Sequence, residues 1–88
     1  MAPEFPVPPT FVGCPVVAGI YVPRAGRHVP LWAVVASSAE PGEFHVGLVR
    51  DDQNSIQSWY DIPNLAEALD WMRVKADFWA GSRDQPSP

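Results

Sequence analysis

Cys14, His28 and His45 are the residues of this chain whose types most readily do chemistry. A thiol beside an imidazole makes a nucleophile and its base, and the three together could ligate a metal. The spacing speaks against both. Zinc sites draw their ligands from closely spaced pairs, whereas here positions 14, 28 and 45 stand far apart and no second cysteine exists. A reactive thiol needs a cation or a helix N-terminus nearby, and Cys14, between Gly13 and Pro15, has neither in sequence. It reads as an ordinary, buried free cysteine. His45 falls inside an apolar segment and reads as a satisfied or half-exposed strand residue. His28 shares a turn-rich loop with Arg24 and Arg27, a cluster that could hold an anion but reads first as a solvated turn. Asp51 and Asp52 are adjacent, so on a strand they point apart and in a turn they serve the backbone. No phosphate-binding glycine loop, serine elbow or calcium loop is present. The expectation is a protein that is not an enzyme, with no catalytic residue, cofactor or metal.

Size and composition narrow the class further. With 88 residues the chain makes one domain with one core. Hydrophobic residues make up 47% and charged residues 18%, an apolar content that is globular with a thinly charged surface. The net charge is −4, which disfavours binding to duplex phosphate. Four tryptophans could stack on single-stranded nucleic acid, but such platforms sit in basic grooves, and the six basic residues are scattered. No nucleic-acid partner is expected. No apolar run is long enough to span a membrane and no signal peptide opens the chain, so neither a membrane partner nor export is expected and the location reads as cytoplasmic. The lone cysteine suits a reducing compartment. The basic residues are arginines apart from Lys75, which points to a GC-rich bacterial or phage genome.

The elements follow from punctuation and periodicity. Residues 1–15 carry Pro3, Pro6, Pro8, Pro9 and Pro15 and predict an extended arm, its Phe5, Val7, Phe11 and Val12 able to lie along a groove. The arm either docks, on its own domain or a neighbour, or trails free. Strands are predicted at 16–22, 31–37, 44–50 and 56–62, the second and third joined by Glu40-Pro41-Gly42-Glu43, whose proline and glycine fit a type II turn. Pro63 ends the last strand. Asn64 is an N-cap with Glu67 three residues on, and Gly81 is placed as the left-handed residue after the helix. The fold class is α+β: a four-stranded antiparallel meander with one C-terminal helix on one face, preceded by the arm. The single domain spans 16–81, and 82–88 reads as a flexible tail.

The helix has more apolar surface than one core requires. At ~100° per residue, Leu65, Ala68, Leu69, Met72, Ala76, Trp79 and Ala80 fall within an arc of roughly 120°, a normal core-facing stripe. Trp71, Val74 and Phe78 form a second stripe centred roughly 145° away, flanked by Lys75 on one side and by Asp70, Arg73 and Asp77 on the other. The sheet also reads as apolar on both sides. If Phe44, Val46, Leu48 and Ile56 face the helix, the reverse collects Val49 and Trp59 with residues of the first two strands, Trp32 among them. Uncovered patches of this kind mark interaction surfaces. The expectation is a protein-interaction module using Trp71, Val74, Phe78, Trp59 and Trp32 to bind a copy of itself or a heterologous protein, with a homo-oligomer favoured. Alternatives are a phage or bacterial regulator, an inhibitor or antitoxin of a host or cognate protein, and a small-ligand site or enzyme built on the aromatics.

Residues 60–69, from Tyr60 through Pro63 and Asn64 to Leu69, resemble the strand-to-helix step of small α+β proteins, antitoxins of the HicB type among them. The resemblance covers one junction made largely of capping residues. That type places a helix among its strands, and the prolines and glycines before Asn64 leave no room for one. Its activity is therefore not carried over.

Overall fold

The computed structural model describes residues 3–23, 29–51 and 54–84, with side chains through residue 80. Strands β1 (Thr10–Phe11), β2 (Cys14–Val22), β3 (Leu31–Ser37), β4 (Phe44–Arg50) and β5 (Ser55–Ile62) are followed by helix α1 (Leu65–Asp84). The sheet is an antiparallel meander in the order β1-β2-β3-β4-β5. The α+β class and the predicted strands stand, but the sheet has five strands where four were expected. The turn between β3 and β4 is the expected one. Gly42 takes φ +79°, and the Glu43 amide donates to the Glu40 carbonyl at 3.2 Å.

The extra strand comes out of the predicted arm. Phe11 pairs with Cys14 across Val12 and Gly13, whose φ angles of 49° and 80° are those of a two-residue type I′ hairpin. A β-branched residue rarely takes the left-handed conformation, which is why Val12-Gly13 gave no turn signal in the sequence. From this hairpin the preceding residues run back over the sheet. The Val16 amide donates to the Pro9 carbonyl at 3.0 Å, the Trp32 Nε1–H to the Phe5 carbonyl at 3.0 Å, and the Glu4 amide to the Tyr21 hydroxyl at 3.0 Å. Pro8 is fully buried. The arm is thus a docked layer of its own domain.

That layer closes the sheet face away from the helix. Phe11, only 5% exposed, packs with Val34, Ala36 and Val49, and its ring lies directly over Gly47, where any Cβ would overlap it. Gly19 plays a similar part beneath Val7 and Trp32. The opposite face buries Val22, Leu31, Ala33, Val35, Val46, Leu48 and Ile62 against Ala68, Met72 and Ala76 of α1. A sheet buried on both faces accounts for the near-continuous apolar runs of β3 and β4. The reverse face expected to lie open is covered from within over β3 and β4, while Tyr60 of β5, stacked on Phe11, stays 51% exposed at its border.

Helix α1 starts as the sequence predicts: the Asn64 Oδ1 accepts from the Glu67 amide at 2.8 Å. It does not stop at Gly81. The helix runs through that glycine to Asp84, since one glycine in a helix costs only about 1 kcal/mol and no proline follows until Pro86. Leu65, assigned to the core stripe, stays 42% exposed in the first turn. The tail expected over 82–88 therefore begins as helix, and its residues from 85 onward lie outside the described residues, as do the loop holding Arg24, Arg27 and His28, and Asp52 with Gln53.

Strand β5 departs from strict alternation twice. Phe44 pairs with Ile62 and Val46 with Trp59, so β5 carries one more residue than β4 between these pairs, and Asp61 in this bulge takes φ 60°. The extra residue inverts the phase, and Trp59, expected on the reverse face with Val49, packs on the helix side instead. A second shift falls between the Leu48 and Val49 pairings, at Ile56, which was expected to face the helix and is 37% exposed.

Candidate protein-docking face

The stripe formed by Trp71, Val74 and Phe78 projects away from the core. They are 38%, 58% and 66% exposed, and Phe78 and Val74 are the most exposed large hydrophobic residues among those described. Spacings of three and four residues put them on one helix face, and the register of that face is fixed from below by buried Ala68, Met72 and Ala76. The stripe is thus held rigidly. Its rings are ordered by neighbours: Phe78 meets Trp79 edge-on at 6.4 Å between centroids, and Trp71 lies 5.9 Å from Trp59, tilted by 44°.

Trp59 and Trp71 share one cation. The Lys75 Nζ stands 4.9 Å from the Trp59 ring and 5.5 Å from that of Trp71, within the range of cation–π attraction. Trp71 and Lys75 are one helical turn apart, so their proximity was legible in the sequence, whereas the contribution of Trp59 depends on the β5 bulge. Beside this cluster an open pocket of about 340 Å³ is lined by Glu67, Asp70, Trp71, Val74 and Lys75. On the far flank the Arg73 guanidinium approaches Asp70 at 3.3 Å, with both side chains mostly in solvent. The face is an aromatic and aliphatic ridge with a positive border on one side and a mainly negative one on the other.

The remaining sequence-predicted residue, Trp32, lies elsewhere. It is half-buried on the opposite sheet face, packed 5.3 Å from Tyr21 and hydrogen-bonded to the N-terminal segment. The structure therefore brings together Trp59, Trp71, Val74 and Phe78 and sets Trp32 apart. Cys14 is half-buried at the edge of the Phe11 cluster. His45 meets the Tyr60 ring edge-on at 5.1 Å, and its Nδ1 accepts a long hydrogen bond, 3.4 Å, from the Asp61 amide. Among the described residues no three of His, Cys, Asp or Glu converge as metal ligands, and no helix is long and apolar enough to cross a membrane. Comparison with protein-family models, curated proteins and solved structures finds no match to this chain.

Proposed function

We propose that this protein is a non-enzymatic docking module that binds protein through the Trp71–Val74–Phe78 ridge, with Trp59 and Lys75 bracing its tryptophan. One observation carries the reading: the chain covers the second face of its central strands with its own N-terminal segment yet leaves Val74 and Phe78 more than half exposed on a helix whose other face is buried. Aromatic anchors of this kind dominate protein interfaces. Isolated exposed hydrophobics need no explanation, but a contiguous ridge does.

The test is affinity capture with the tagged chain from the cell that makes it, with a differently tagged second copy present. Wild type should retain a stoichiometric protein, either the second copy or a foreign chain, and the double variant W71A/F78A should lose it. Retention of nothing by wild type, or equal retention by the variant, refutes the proposal.

A further inference from the structure

We infer that the occupant of this ridge is a second copy of the chain, its helix running parallel to the first about a two-fold axis. The inference rests on the docking reading above and goes further by naming partner and orientation. Its basis is the distribution of charge beside the ridge. Trp71, Val74 and Phe78 follow a spacing of three and four residues, the a, d and a positions of a heptad. In that frame Asp70 and Asp77 occupy g and Lys75 occupies e. A parallel pair brings each g residue against the e residue five positions later on the other helix, and Asp70 is five residues before Lys75. Two-fold symmetry makes the contact twice, Asp70 to the partner's Lys75 on both sides.

The antiparallel pairing fails on the same charges. A two-fold axis across the helices sets like flank against like flank, so the Asp70 and Asp77 border would meet its own copy and Lys75 would meet Lys75. Both contacts repel. Only the parallel arrangement joins the borders with opposite signs. It is also sterically open, because the ridge points away from the sheet and the two domains would stack as sheet, helix, helix, sheet, with helix axes ~8–10 Å apart. Asp70 is free to exchange its partner, since its contact to Arg73 is at 3.3 Å and mostly in solvent. The seam is short: Glu67 and Gly81 stand at the flanking d positions, so the contact should be a reversible dimer and not a long coiled coil.

Sedimentation equilibrium across the micromolar range tests this on the full chain and on D70K, K75D and D70K/K75D, with circular dichroism confirming the fold. Wild type should dimerise. Each single reversal replaces both attractive pairs by repulsive ones and should weaken the dimer by ~10-fold or more, and the double reversal should restore it. D70K does not touch the tryptophan–lysine cluster, so it stays decisive if K75D disturbs the monomer. Tightening of the dimer by D70K, or indifference to it, overturns the parallel arrangement. A monomeric wild type that still captures a foreign chain through Trp71 and Phe78 overturns the second copy while leaving the docking reading intact.

Discussion

Phe11→Ala should unfold this protein at far lower denaturant than wild type, although residue 11 lies in a proline-rich segment that looks dispensable. The ring is 5% exposed and rests on Gly47, Val34, Ala36 and Val49, and it stacks with Tyr60 at 6.5 Å between centroids. Removing a buried phenyl ring typically costs ~3–5 kcal/mol, and the shape of this site favours the upper part of that range. Gly47 has no side chain to fill the space, and the sheet backbone beneath it cannot collapse outward. A domain of this size holds ~4–13 kcal/mol in total, so the substitution removes a large share of its stability. With a urea slope of ~1 kcal/mol per molar for a small protein, the midpoint should fall by about 4–5 M. Urea unfolding followed by tryptophan fluorescence measures this directly. A loss below about 1 kcal/mol, the size of an ordinary surface substitution, would refute the docked N-terminal layer and reopen the second sheet face as a binding surface.

Other substitutions probe separate parts of the account. Val12→Asn should stabilise the fold by ~0.5–1.5 kcal/mol, because asparagine tolerates the left-handed conformation that valine is forced to adopt at φ 49°; differential scanning calorimetry reads the rise. Gly47→Ala should destabilise by more than ~2 kcal/mol in chemical denaturation, since its methyl would overlap the Phe11 ring. Asn64→Ala should cost ~0.5–2 kcal/mol by loss of the helix cap, measured the same way, and N64D should recover most of it. Phe78→Ala should leave the unfolding of dilute monomer within ~0.5 kcal/mol of wild type, because the ring is mostly in solvent there.

The strands, the β3–β4 turn and the helix cap were legible because each rests on local chemistry: β-branched runs, a proline and glycine at fixed turn positions, an asparagine before an amphipathic helix. What escaped was long-range. Val12-Gly13 makes its hairpin against local preference, compensated by burial of the adjacent Phe11 against Val34, Gly47 and Val49, residues far away in sequence, so the sequence alone left the arm either docked or free. Trp59 was assigned to the wrong face because one extra residue in β5 shifts the phase of everything before it, and nothing in the sequence around Asp61 announces a bulge. Gly81 failed as a stop signal because its cost is small when no proline enforces it. The exposed apolar ridge of α1, by contrast, was readable from helical spacing alone. A surplus stripe needs only the certainty that one core cannot face two ways.

Footprinting of aromatic side chains by hydroxyl radicals tests that ridge most directly, comparing the protein inside the cell that makes it with the purified protein at high dilution. Phe78 and Trp71 should be protected in the cell and labelled on dilution, while Phe11 and Trp32 stay equally protected in both. Equal labelling of Phe78 in the two states would contradict the claim that another protein covers it.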